Sequence, residues 1–170
     1  MSTFHAAFIE ESRRLLAAEY LPKIRHCLDT IDEADVWWRP NAQCNSIGNL
    51  VLHLAGNIRQ WMISGVGGAP DIRERQAEFD AQTGVTRRAL IEQLEQTLLA
   101  VDQVLSRVTA EQLGEQRTIQ GQDVSVLEAI YHVVEHFGMH TGQIIYITKL
   151  RSSKDLAFYE VEAGIPRPRW

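Results

Sequence analysis

Four stretches of the chain repeat apolar residues at intervals of three and four, the pattern of helices that bury one face. They cover about residues 3–29, 46–65 and 86–105, and a fourth runs from residue 125 to beyond 145. No comparable run alternates with a period of two, as a half-buried strand would. The periodicity therefore predicts an all-α protein without strands.

The predicted helices carry recognisable start signals. Ser46 and Thr86 are suitable N-caps, because their hydroxyl oxygens can accept a hydrogen bond from a backbone N–H of the first turn. Ser125 and Glu128 match the capping box. Pro22 lies inside the first stretch and removes a backbone donor, so we expect a bend or interruption near Glu19.

Two long connections separate the last three helices. Residues 71–83 are mainly polar and predict at most a short surface helix, and residues 109–121 form the second connection. Connections of this length let the chain cross from one end of a bundle to the other. The sequence therefore predicts a four-helix bundle with crossover connections, in one domain spanning residues 1–170.

Composition argues against several classes of partner. The formal charge of −5 gives no basic footprint for nucleic acid. No apolar run approaches the roughly 20 residues that span a bilayer, and residues 1–11 lack the layout of a secretion signal. We therefore expect a cytoplasmic protein whose Cys27 and Cys44 are reduced thiols, and a basic tail at 167–170 that is solvated.

Three of the six histidines recur every four residues on the last helix: His132, His136 and His140. Spacing of four places two imidazoles on one helical face, where they can share a metal ion. Two ligands hold a metal weakly, and His53 is the only histidine in the second apolar stretch. It is the candidate third ligand.

A helical wheel orders these histidines by their distance from the buried face. Measured from the centre of the apolar arc, His140 lies about 90° away, His136 about 130° and His132 about 170°. His132 is thus predicted to face water. His53 lies about 130° from the centre of its own arc, with Asn57 one turn further on.

Spacing alone leaves two interpretations open. A histidine pair four residues apart is also typical of a partly exposed helix surface, and a lone histidine in an apolar stretch commonly bonds a backbone group.

Two known metal arrangements are excluded by residue type. A zinc protease motif needs Glu where Phe137 stands, and no histidine has the Glu three residues earlier that di-iron bundles use.

Two segments carry a resemblance to a known family: residues 45–57, Asn-Ser-Ile-Gly-Asn-Leu-Val-Leu-His-Leu-Ala-Gly-Asn, and residues 136–144, His-Phe-Gly-Met-His-Thr-Gly-Gln-Ile. With Trp-Arg-Pro at 38–40, they are similar to the DinB/YfiT family of small bacterial bundle proteins. The resemblance implies a DinB-like bundle in which His53, His136 and His140 bind one divalent metal ion, zinc or nickel.

The resemblance also implies a range of functions. Relatives include metal-dependent transferases that use low-molecular-weight thiols, such as mycothiol-dependent maleylpyruvate isomerase and bacillithiol transferases. We therefore expect a metal-dependent enzyme that activates a thiol or water, as a thiol S-transferase or hydrolase acting on a small molecule. The alternative is a non-catalytic stress protein that binds a metal or small ligand. A homodimer is expected. Asn57 and Gln143 are candidates to orient a ligand or a histidine.

Overall fold

The computed structural model describes residues 3–170, and most of them are helical. The first helical segment consists of α1 (Thr3–Arg14), a wider π-helical stretch (Leu15–Tyr20) and α2 (Leu21–Thr30). Pro22 lies in the first turn of α2, directly after the π-helical stretch, and has no N–H to donate to the preceding helical turn. The interruption expected near Glu19 is therefore a change of helix type, and the chain stays helical through it.

The second segment begins with α3 (Ile47–Ile58) and continues as a π-helical stretch (Arg59–Val66). Its predicted cap is present. Ser46 Oγ accepts a hydrogen bond from the Asn49 N–H at 3.2 Å, and Asn49 Oδ1 accepts one from the Ser46 N–H at 3.1 Å. The two residues thus satisfy two of the donors that a helix start leaves free.

Two further long helices complete the framework. After the short helix α4 (Arg75–Asp80), α5 (Arg87–Leu105) begins at its Thr86 cap. The last helix, α6 (Val126–Ser152), begins at the capping box of Ser125 and Glu128. Both predicted start signals are confirmed. Short 3₁₀ turns (Glu33–Asp35 and Gln112–Gly114) lie in the connections.

The long helices enclose one continuous hydrophobic core. α3 contacts α5 and α6, and α2 contacts α6 and α5. Most residues of the predicted apolar faces are buried or partly buried, but Phe4 of the first face is 65% exposed. The largest fully buried side chains include Phe137, Ile24, Leu28, Leu54, Leu94 and Ile130. The mainly helical class is thus confirmed. Within residues 3–170 no helix has the length and apolarity needed to cross a membrane.

Two short β-hairpins contradict the prediction of a chain without strands. β1 (Gln116–Ile119) pairs with β2 (Gln122–Ser125) just before α6, and β3 (Tyr159–Glu162) pairs with β4 (Ile165–Pro168) near the C-terminus. The strands have four residues each and bury little, so they leave no alternating pattern to detect. The turn residues Gln120-Gly121 and Ala163-Gly164 all have positive φ, as tight hairpin turns require.

The C-terminal end is also more ordered than the solvated tail we expected. Trp170 donates a hydrogen bond from Nε1 to the Ala18 carbonyl at 2.7 Å, and its ring packs on Phe158 and Tyr159. The hairpin β3–β4 folds the chain back so that this indole reaches the first helical segment.

Substitutions on α5 test the assignment of its buried face. Leu94 is completely buried and Leu99 is 59% exposed on the same helix. We expect Leu94→Ala to lower the free energy of unfolding by about 2–5 kcal/mol, because it leaves a cavity. Leu99→Ala should change it by about 0.5 kcal/mol or less. Urea unfolding of both variants measures the difference, and equal effects would contradict the assigned face.

Candidate metal centre

The packing of α3 against α6 brings the three predicted histidines together. His53 Nε2 lies 3.1 Å from His136 Nε2, and His140 Nε2 lies 3.1 Å from the same atom. One ligand atom from each residue lies within 4.8 Å of the other two. Nitrogens around a tetrahedral zinc ion at 2.0–2.1 Å would be about 3.3–3.4 Å apart. The separations are thus close to those of a shared ion.

The opposite ring nitrogens of two histidines already have acceptors. His53 Nδ1 lies 2.9 Å from Glu78 Oε2, and His140 Nδ1 lies 2.7 Å from Gln143 Oε1. Arg73 Nη2 also lies 3.2 Å from His53 Nδ1. Because the carboxylate and the amide oxygen can only accept, we assign the proton to Nδ1 of both rings, which leaves Nε2 unprotonated. Metal-binding histidines in proteins are held in this way.

These two contacts create an electrostatic problem at the centre of the cluster. The Nε2 lone pairs of His53 and His140 both point at His136 Nε2, which can donate to only one of them. Among residues 3–170, His136 Nδ1 is buried and has no hydrogen-bond partner. A cation placed between the three nitrogens would satisfy all three lone pairs at once, so the residues present fit a metal ion.

Burial favours the neutral form of His136 and His140, which is the protonation state that binds metals. His53 and His140 are 6% and 8% exposed. Burial, reinforced by the charges of His140 and His53, lowers the pKa of His136 to about 3. Burial also lowers the pKa of His140, despite its hydrogen bond to Gln143.

A buried ion pair lies behind His53. The guanidinium of Arg73 donates two hydrogen bonds to Glu78, at 2.7 and 2.8 Å. Burial raises the pKa of Glu78, but the hydrogen bonds from Arg73 and His53 outweigh this effect and the pKa lies below its usual range. Glu78 is therefore an ionised acceptor for His53 Nδ1–H.

Neither Arg73 nor Glu78 was predicted as part of a site. The polar connection was expected to lie on the surface, and its helix α4 is as short as expected, but these two side chains turn inward. One available signal was Gly56, one turn after His53. Glycine is unfavourable inside a helix, and here a Cβ would lie 1.9 Å from Glu78 Oε1.

His132 does not face water as the helical wheel predicts. Its ring is half-buried between Trp61, at 4.1 Å between centroids, and His136, at 5.4 Å. The wheel describes angles on α6 alone and does not include the π-helical stretch after α3, which supplies Trp61. Its nitrogens are not among the converging ligand atoms.

The other sequence candidates have different environments. Gln143 orients His140, as proposed for it. Asn57 is 4% exposed, and its Oδ1 has no hydrogen-bond partner among residues 3–170. Both cysteines are free, as predicted, and burial raises the pKa of the Cys27 thiol to about 11, which makes it unreactive.

A cleft of about 560 Å³ is lined in part by Gln143, whose side chain contacts His140, but by none of the three histidines. This volume is within the usual range for small-molecule sites. Apolar side chains supply most of its wall, and Cys44 and Asn45 add polar groups. The apolar lining residues include Pro40, Leu50, Met139, Tyr146, Ile147 and Leu150.

Comparisons with known proteins agree with this architecture. No curated protein matches the sequence. A crystal structure of the conserved protein of locus from Enterococcus faecalis is similar, with a TM-score of 0.73 and 16% identity over 85% of this chain and 97% of that chain. At this identity the likeness concerns the fold. Residues 4–165 match the family described as "Protein of unknown function (DUF1572)", and the chain therefore belongs to that family.

Proposed function

We propose that the protein binds one divalent metal ion through Nε2 of His53, His136 and His140. The observation that carries this proposal is the convergence of three imidazoles, two of which already donate their Nδ1 protons to Glu78 and Gln143. The unprotonated Nε2 atoms of His53 and His140 repel one another unless a cation, or a proton on His136 Nε2, lies between them. Imidazole suits zinc and nickel, which are the metals we propose.

The proposed architecture is a four-helix bundle of the DinB/YfiT type that forms one domain over residues 1–170. The capped helices, the long connection between α3 and α5, and the histidine-bearing motifs on α3 and α6 support it. The structural likeness to the E. faecalis protein also supports this architecture. A cytoplasmic location and a homodimer are part of the same proposal.

The charges around the site favour an anionic ligand. Three neutral imidazoles do not reduce the double charge of a divalent ion, and the charge of Glu78 is balanced by Arg73. Three protein ligands would leave at least one position for a small molecule. A bound metal ion would act as a Lewis acid that makes a thiol or water lose its proton more readily.

We therefore propose a metal-dependent transferase for a low-molecular-weight thiol. In the proposed reaction the thiol loses its proton to solvent, its sulfur bonds to an electrophilic carbon, and the leaving group departs with the electron pair of the broken bond. The cleft beside Gln143 has the size and apolar lining to hold the electrophile. Hydrolysis, with water in place of the thiol, is the related reaction for the same site.

Metal content is the first expected outcome. Purified protein without a histidine tag should bind one zinc or nickel ion per chain, measured by elemental analysis after dialysis. His53→Ala, His136→Ala and His140→Ala should each lose most of this metal, because two remaining ligands hold an ion weakly.

Two further histidine variants are the controls for this measurement. His26 is exposed on α2 and meets the ring of Phe158 edge to face, so His26→Ala should keep its metal. His132→Ala should also keep it, because its nitrogens are not among the converging atoms. Metal lost from His132→Ala but retained by His140→Ala would show that the assigned ligand set is wrong.

Turnover is the second expected outcome. The zinc-loaded protein should accelerate conjugation of a low-molecular-weight thiol to a chromogenic aryl halide above the uncatalysed rate, measured by absorbance. The acceleration should disappear in His53→Ala and His136→Ala and persist in His26→Ala.

Other results of the same assay separate the alternatives. Acceleration that survives loss of either histidine contradicts a reaction at this site. Full metal binding without turnover of any thiol, or of a test ester, favours the non-catalytic metal- or ligand-binding protein instead.

A further inference from the structure

Residues 71–82, called the strap below, cross the outside of α3 at the level of His53. The strap contains only one short helix, α4, which could not be stable by itself. The side chain of Asn49, on α3, binds the backbone of the strap. The Asn49 amide donates to the carbonyl of Glu78 at 2.9 Å and to that of Ala81 at 2.8 Å. The same residue that caps α3 therefore anchors the strap.

Arg39 anchors the strap from the other side. Its guanidinium donates to the carbonyls of Phe79 at 2.9 Å and Ala81 at 3.0 Å. The ring of Phe79 then lies against His53, with 4.9 Å between centroids. Asn49 and Arg39 both belong to the sequence motifs described above, and neither is a proposed metal ligand. These contacts give the two residues a structural role.

The strap directs its ion pair into the protein. The side chain of Arg73 is 2% exposed and that of Glu78 is 10% exposed. Arg73 also donates a hydrogen bond to Gln60 Oε1 at 2.9 Å. Gln60 belongs to the π-helical stretch after α3, so this bond attaches Arg73 to that stretch. A buried ion pair is a weak source of stability, because removing two charges from water costs about as much as their attraction returns. Its presence therefore calls for a reason other than stability.

Gly56 supports the same conclusion from the side of α3. Its missing side chain is what lets the carboxylate approach, since a Cβ there would lie 1.9 Å from Glu78 Oε1 and 3.2 Å from Arg73 Nε. Apart from proline, glycine is the least favourable residue in a helix interior. The helix gives up some of its own stability at the one turn where Glu78 contacts His53.

We propose that Glu78, held by Arg73, is a positioning residue for the metal centre, and that metal binding in turn stabilises the docked strap. This inference rests on the proposed metal site. By accepting the proton of His53 Nδ1, the carboxylate fixes the ring with Nε2 toward His136 and His140. If strap docking strengthens metal binding, the metal must strengthen strap docking by the same factor.

Zinc affinity tests the first half of the proposal. Competition with a chromogenic chelator should show about 10- to 100-fold weaker zinc binding by Glu78→Gln than by the parent protein. The matched control is Glu74→Gln, the same change of charge at an exposed position of the same strap. Its affinity should stay within about twofold of the parent.

Hydrogen exchange tests the second half and separates positioning from a merely structural role. Zinc should slow deuterium uptake by residues 71–82 in the parent and in Glu74→Gln. In the Glu78→Gln variant, zinc should slow deuterium uptake by these residues much less, even at zinc concentrations that saturate the metal site. A structural defect alone would speed exchange equally with and without zinc.

A second variant covers the case in which Glu78→Gln does not fold. Gly56→Ala keeps both charges and favours the helix, but its methyl group displaces the Glu78 carboxylate. It should also weaken zinc binding. Parent-like affinity in a folded Glu78→Gln, or in Gly56→Ala if the former is unfolded, overturns the positioning role and leaves the metal centre intact. A parent protein that binds no zinc overturns the metal centre itself.

Discussion

The contact between α3 and α6 is the interaction on which the rest of the structure depends. It buries apolar side chains such as Leu54 and Phe137 and, at its edge, forces three imidazoles to face one another. Apolar packing supplies the free energy that holds the two helices together, because burial of their faces outweighs the mutual repulsion of a few nitrogen lone pairs. The histidines lie at the border of the core, where His53 and His140 are almost completely buried.

The connection between α3 and α5 completes the site from outside. Hydrogen bonds from Asn49 and Arg39 hold its backbone, Gly56 leaves room for its carboxylate, and Glu78 reaches His53. One histidine is thus oriented by a distant part of the chain, whereas His140 is oriented locally by Gln143, three residues further along its own helix. A change in the connection should therefore affect the His53 side of the site much more than the His140 side.

Much of this arrangement could be predicted from the sequence because it depends on local periodicity. The apolar repeats predicted the helices, and Ser46, Thr86 and Ser125 predicted their starts. Spacing on α6 and the single histidine on α3 supplied the candidate ligands, and the resemblance to the DinB/YfiT family selected His53, His136 and His140. The strap could not be predicted, because its contacts join residues about 25 positions apart and leave no periodic pattern. The hairpins were not predicted because their strands are short and mostly exposed. The burial of His132 was not predicted because Trp61, which covers it, belongs to another helical segment.

The central claim is that one cation lies between these imidazoles, and anomalous diffraction tests it most directly. Crystals of the untagged protein grown with zinc would be measured on both sides of the zinc absorption edge. One anomalous peak should lie about 2.0–2.1 Å from Nε2 of His53, His136 and His140. A map with no peak between these rings, or with a peak bound to only one of them, would contradict the account.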